Sequence, residues 1–217
     1  MLYRLVSRSE LYYKPRIDKA LLAELVEECG QGHIAGSSAC LASETSRLLL
    51  EDNYQGARAV AHQYGEILGK GNFYLELQDH GLEEQRLVNR GLLRLHRETG
   101  LPLIAANDYH YVEPEHAFLH DVVVCIQTGK QLSDDNRLQF TSNQAYLKSA
   151  AEMLELFPDH KEALINTVHI MERCQVELDF DTVHLPRFEL PPGFADADSY
   201  LRTLAEEGAI RRYGEIS

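Results

Sequence analysis

Three side chains in this sequence have the type and spacing to hold a metal ion. Asp108 and His110 form an Asp-x-His pair within Asn107-Asp108-Tyr109-His110-Tyr111, and Cys40 follows the small-residue run Gly36-Ser37-Ser38-Ala39. In an extended stretch residues two apart point the same way, so one carboxylate oxygen and one imidazole nitrogen can meet a single ion. A thiol at the mouth of a helix is biased toward the thiolate, the form that ligates metal. Cys, His and Asp together suit zinc, and the carboxylate alone also accepts manganese. Each has a plainer reading: Asp108 as the cap of a turn, Cys40 as a small buried hydrophobe. His80, in Asp79-His80-Gly81, reads first as a turn residue and second as a group supporting the ligands from behind. Three ligands do not complete a hydrolytic site, because phosphoester hydrolysis commonly needs two or more metals about 3.5–4 Å apart.

The elements that must position these groups are legible in outline. Asp18 to Cys29 reads as an amphipathic helix with Leu21, Leu22, Leu25 and Val26 on one face, ended by Gly30. His33-Ile34-Ala35 predicts a short strand, and a helix is expected from Cys40 to Leu50. Asp52 or Asn53 caps the next helix, which turns Ala57, Val60, Ala61 and Tyr64 inward. Asn72 to Gln78 is the clearest strand, and Pro102 to Ala106 is a second, apolar on both faces as a buried parallel strand requires. Between them a helix carries Leu87, Val88, Leu92 and Leu95 and closes at Gly100. Pro114 opens another helix through Val122 to Ile126. Alternating strands and helices predict an α/β fold with parallel pairing, whose active site lies at the carboxyl ends of the strands. Cys40, Asp79-His80 and Asp108–His110 all fall there.

After Gly129 the pattern changes. Helices near 150–157, 161–174 and 197–213 come without matching strands, separated by the proline-bearing passage from His184 to Gly193. Boundaries are expected near 129–142 and 184–195. His62, His96, His116, His120, His160 and His169 lie in helical patterns without a carboxylate or cysteine motif and read as surface or packing residues.

Composition narrows the classes. With 44% hydrophobic and 25% charged residues the chain is ordinary globular material. Its net charge of −13 repels phosphate backbones, so these residues are not expected to be the main grip on nucleic acid. The four cysteines are too widely spaced for a zinc ribbon or a disulfide framework, and Cys29, Cys125 and Cys174 read as small buried hydrophobes. No apolar run approaches the roughly 20 residues that cross a bilayer, and Met1 to Glu10 lacks the apolar core of a secretory signal. No membrane partner and a cytoplasmic location are expected.

The order of several short motifs resembles the alpha subunits of bacterial DNA polymerase III, the C-family replicative polymerases. The stretches are Tyr12-Tyr13-Lys14-Pro15-Arg16-Ile17-Asp18, Ser38-Ala39-Cys40-Leu41-Ala42, Asn72 to Gly81, Ala106 to Tyr111, His120-Asp121, Cys125-Ile126-Gln127-Thr128-Gly129, Tyr146-Leu147-Lys148-Ser149 and Leu185-Pro186-Arg187-Phe188. The resemblance implies a partial (β/α)7 barrel over 1–140, the latter part of a PHP (polymerase and histidinol phosphatase) domain. Residues 141–217 would form a mainly helical connection leading toward the palm and the start of the polymerase module. It places Cys40, Asp108 and His110 on three of the family's metal positions, for zinc or manganese. The family's opening His-x-His and Asp-His ligands do not stand ahead of these residues, and Ser43 occupies a position where glycine is common. The chain stops before the palm with its magnesium-binding Asp-x-Asp carboxylates.

The implied function is therefore that of a piece of a DNA-directed DNA polymerase, inactive alone, whose parent extends primers on template DNA with deoxynucleoside triphosphates. A proofreading exonuclease subunit and a sliding clamp are partners implied for that parent. The alternatives are a metal-dependent phosphoesterase or 3′–5′ exonuclease of the PHP type, and a non-catalytic structural and subunit-docking module. An incomplete barrel also predicts open sheet edges and poor solubility.

Overall fold

The computed structural model describes residues 1–10, 14–140, 142–183, 185 and 188–214. Within the motifs quoted above, Tyr12, Tyr13, Pro186 and Arg187 lie outside the described residues, as does His184. Two compact units are distinguished, Met1–Cys174 and Gln175–Ser217.

The first unit is built on a three-stranded sheet of β1 (Gly36–Ser37), β2 (Phe73–Leu77) and β3 (Leu103–Ala105), in that spatial order and parallel throughout. Gly36 pairs with Phe73, and Leu75 and Leu77 pair with Leu103 and Ala105. The alternation of Phe73, Leu75 and Leu77 is real, but Tyr74 is buried as well. Both faces of β2 are thus largely covered, as helical crossovers in a parallel sheet demand.

Helices α1 (Leu2–Ser9) and α2 (Lys19–Cys29) precede the sheet. Asp18 caps α2 by accepting from the amide of Leu21, and Leu25 and Val26 are its buried residues. Between β1 and β2 lie α3 (Glu44–Leu50) and α4 (Tyr54–Leu68), the latter capped by Asn53, whose Oδ1 accepts from the Gly56 amide. Ala57, Val60 and Ala61 face inward as expected, and Tyr64 stacks on Phe73 with ring centroids 5.3 Å apart. The crossover from β2 to β3 is α5 (Glu83–Thr99), whose first-turn carboxylates suit the positive end of the helix dipole. Val88, Leu92 and Leu95 are buried on one stripe, while Leu87 points outward and is 39% exposed. Gly100 ends the helix in the left-handed region at φ 72°, where a Cβ would be strained.

Two local expectations are corrected. The first strand is Gly36–Ser37 and not His33–Ala35, because the pairing that defines it is backbone to β2 and owes nothing to apolar side chains. A Cβ on Gly36 would lie 2.9 Å from Cδ1 of Leu68, so any other residue there would push the Leu68 side chain aside. Helix α3 starts at Glu44 and not at Cys40, because Ser43 caps it through the amide of Ser46. Cys40 therefore sits in the loop ahead of the helix, three residues before its cap, and not at the helix mouth.

Beyond β3, a 3₁₀ turn at Pro114–His116 leads into α6 (Ala117–Thr128), followed by α7 (Ala150–Leu156) and α8 (Lys161–Arg173). Ser149 and Glu152 form a reciprocal capping box at the start of α7. Helix α8 packs along β3 and replaces a neighbouring strand there. Asn166 Nδ2 donates to the Leu103 carbonyl at 2.8 Å and Thr167 Oγ1 to that of Ala105 at 3.1 Å. At the helix end, Arg173 reaches back to the carbonyl of Gly71, to Asn72 Oδ1 and to the Tyr74 hydroxyl. The expected open edge is thus occupied on the β3 side. Met153, Phe157 and Ala163 extend the core into this region. Of the cysteines, Cys125 is buried as expected, whereas Cys29 is half-buried and Cys174 is exposed.

The second unit contains α9 (Ala197–Tyr213), capped by Asp196 through the Ser199 amide, with Phe194 edge-on to Tyr200 at 4.7 Å. Its two Asp-x-Asp pairs have local backbone roles: Asp179 accepts from the amides of Asp181 and Thr182, and Asp196 is the helix cap.

Candidate metal centre

Cys40, His80, Asp108 and His110 line one cavity of about 530 Å³ at the carboxyl ends of the three strands. The loop after β1 supplies Cys40, the loop after β2 supplies His80, and the loop after β3 supplies Asp108 and His110. The strand ends are tied by polar side chains: Ser37 Oγ donates to Glu76 at 2.5 Å, Gln78 donates to the same carboxylate at 2.7 Å, and Ser38 Oγ accepts from the Glu76 amide.

His110 Nε2 lies 3.7 Å from Asp108 Oδ1. Two ligands held 2.0–2.1 Å from one tetrahedral ion stand about 3.4 Å apart, so this pair is spaced close to what a shared zinc-class ion needs. Both side chains are partly open to solvent, at 42% and 37% exposure, which leaves an approach for an ion. Cys40 lines the same cavity, half-buried. Among the described residues no three His, Cys, Asp or Glu side chains converge closely enough to hold a metal ion by themselves. The donor set thus fits two adjoining positions of a site, with a thiol elsewhere in the lining of the same cavity.

Backbone strain gathers at the same place. Asp108 has φ 45° and Ala39, next to Cys40, has φ 50°; among the described non-glycine residues only Asp52 shares this region. Left-handed conformations without glycine cost of order 1–3 kcal/mol and persist where surrounding structure enforces them, often at functional sites.

His80 proves to be more than a turn residue. It is buried, and both ring nitrogens are engaged: Nε2 with the Asn107 carbonyl at 2.5 Å and Nδ1 with the side-chain amide of Gln85 at 2.8 Å. A carbonyl can only accept, so Nε2 donates to Asn107 and Nδ1 accepts from Gln85, which leaves neither ring nitrogen free to ligate an ion. Gln85 returns a second bond, accepting from the His80 amide at 2.7 Å. His80 thereby braces Asn107, the residue before Asp108, while the Asn107 side chain donates to the Tyr146 carbonyl.

Sequence reasoning missed three neighbours. Phe140 lies 4.8 Å from the His110 ring and 4.8 Å from that of His120, whose imidazole is 5.4 Å from His110. Burial, with help from the adjacent His110, holds the pKa of His120 below the ordinary histidine value. The third neighbour is Arg137, only 8% exposed, in a two-pronged ion pair with Asp121 at 2.5 and 2.9 Å. His120 and Asp121 already stood in a family motif, but nothing local to Arg137 or Phe140 marks where they fold back.

The PHP domain family matches residues 1–80. Over 207 residues, 95% of the chain, the sequence is 40% identical to the DNA polymerase III subunit alpha of Treponema pallidum (strain Nichols) and 42% identical to that of Borreliella burgdorferi. The subunit from Thermus aquaticus is 39% identical over 221 residues, 98% of the chain. The chain spans only 17–18% of the length of these relatives. Over nearly its whole length the chain is therefore related to the alpha subunits of bacterial DNA polymerase III, as the counterpart of one segment of them that begins in the PHP domain family.

Proposed function

We propose that these residues serve in a DNA-directed DNA polymerase that extends primers with deoxynucleoside triphosphates. The single observation that supports this most is identity near 40% sustained over 95% of the chain with subunits of that name. In this reading residues 1–140 belong to the latter part of a (β/α)7 PHP barrel, and residues 141–217 form the connection and start of the polymerase module. The magnesium-dependent polymerisation chemistry belongs to palm carboxylates in the parent. Primer-template DNA, nucleotides, a proofreading subunit and a sliding clamp are its partners through that parent.

Asp108 and His110, with Cys40 from the lining of the same cavity, would hold a zinc or manganese ion together with donors from the remainder of the barrel. Such an ion supplies Lewis-acid polarisation of a bound phosphate or water. The chain's own residues orient that site: Gln85 and His80 brace the loop of Asp108, and the left-handed turn at Asp108 aims its carboxylate toward His110. The PHP-type phosphoesterase or exonuclease reading depends on the same cavity.

A second reading, a non-catalytic module that stabilises the polymerase or docks its proofreading subunit, draws on the ties of α8 to the sheet. Grafting the segment into the Thermus aquaticus subunit in place of its counterpart tests the main reading. Primer extension by the chimera is expected, and a folded chimera without extension would sink it. Cys40→Ser, Asp108→Ala and His110→Ala in that chimera separate the readings: loss of thermal stability with extension intact at low temperature favours the structural role. The isolated chain is expected to incorporate no nucleotide in a sensitive primer assay.

A further inference from the structure

Phe140 lines the metal cavity, and the chain is tied down on both sides of it. Arg137 is locked to Asp121 on α6, and the Ser142 hydroxyl donates to the His80 carbonyl at 2.5 Å. Phe140 and Ser142 both line the cavity, as do Leu138 and Gln139. The Phe140 ring meets His110 at an interplanar angle of 60° and His120 nearly edge-on at 84°, each at 4.8 Å. A tilted aromatic contact at this separation is attractive and directional. Among the described residues Phe140 is closer to the His110 ring than His120, at 4.8 Å against 5.4 Å.

A histidine bound to metal needs its ring plane fixed, because rotation about χ2 swings Nε2 away from the ion. The usual device is a hydrogen bond from the second ring nitrogen to a carboxylate or carbonyl. Among the described residues the His110 ring makes one polar contact, Nε2 with Asp108. Ring packing by Phe140 supplies a brace of another kind.

We propose that Phe140 is a positioning residue for His110, holding the imidazole so that Nε2 and the Asp108 carboxylate face one divalent cation of the zinc class. The double clamp through Arg137 and Ser142 is what keeps Phe140 over the ring. This role rests on the reading that Asp108 and His110 bind metal. Since Phe140 is 40% exposed, its truncation removes little core.

The test is cobalt(II) titration of the chimeric subunit, which supplies the remaining barrel donors, followed by visible absorption, whose intensity and band shape report coordination geometry. Phe140→Ala should weaken cobalt binding about 10-fold and alter the bands, the scale typical of lost outer support at metal sites. Phe140→Tyr should restore both, and Arg137→Gln should weaken binding in the same direction. Far-ultraviolet circular dichroism and the metal-free unfolding midpoint should be unchanged in Phe140→Ala. Wild-type affinity and bands in Phe140→Ala, while Asp108→Ala and His110→Ala lose binding, would overturn the positioning role and leave the metal reading standing. If the chimera binds cobalt no better than its Asp108→Ala and His110→Ala variants do, the metal reading falls and the role of Phe140 falls with it.

Discussion

The side-chain amide of Asn166 on α8 donates to the backbone carbonyl of Leu103 on β3, 63 residues earlier, at 2.8 Å. Thr167 does the same for Ala105, and also bonds back to Ala163 within its own helix. Edge carbonyls that would otherwise invite another strand are satisfied by a helix.

Asn166→Leu and Thr167→Val should each destabilise the first unit by about 1–3 kcal/mol, since each leaves a strand carbonyl unpaired beneath a packed helix. Denaturant unfolding measures the loss, and light scattering should show more association in the double variant. Unchanged midpoints for both would mean that α8 packs without supporting the edge.

Asp108 separates strain from chemistry. Asp108→Gly relieves the left-handed backbone, whereas Asp108→Val places a β-branched residue at φ 45°. Valine should be less stable than glycine by about 1–3 kcal/mol, while both variants lose metal binding equally. Equal stability of the two in thermal unfolding would show that the turn relaxes freely.

Glu152 should mark a window of acid sensitivity. Bonds from the Ser149 hydroxyl, the Tyr146 hydroxyl and the Ser149 amide lower its pKa from the ordinary 4.5 to about 2. A depressed carboxyl contributes stability fully above its unfolded pKa and loses it as pH falls through its folded one. The contribution should therefore fade between pH 4.5 and about 2. Glu152→Gln should flatten the pH dependence of the α7 unfolding signal in that window, as followed by circular dichroism. A carboxyl titrating near its ordinary value by nuclear magnetic resonance would contradict the capping geometry.

Thiol accessibility should follow burial. A maleimide reagent should modify exposed Cys174 first and buried Cys125 last, with Cys29 and Cys40 between them. Peptide mass mapping at early times reads the order directly, and early labelling of Cys125 would contradict its packing in α6.

What could be read in the sequence was local and periodic. Phe73, Leu75 and Leu77 announce β2 through alternation, Leu103–Ala105 through being apolar on both sides, and Val88, Leu92 and Leu95 through helical spacing. Gly36–Ser37 could not be read this way, because that strand exists through backbone pairing and a close approach to Leu68 that glycine eases. Ser43 did carry a readable signal, a serine capping Ser46, yet the preference for Cys40 at a helix mouth obscured it. For the site, spacing linked Asp108 to His110 but could not bring Cys40 to the same cavity; that took the parallel order of three strands. Arg137, Phe140 and Ser142 act over separations of 16 to 62 residues, through partners no local pattern names.

Helix α8 also sets a schedule for biosynthesis. The carbonyl of Ala105 leaves the ribosome 62 residues ahead of the threonine that will satisfy it. At about 5–20 residues per second that delay is about 3–12 s, during which β3 is made but its outer edge has no helix to lie against. A nascent chain arrested before α8 emerges should therefore be a better substrate for chaperones that recognise extended backbone than one arrested after it.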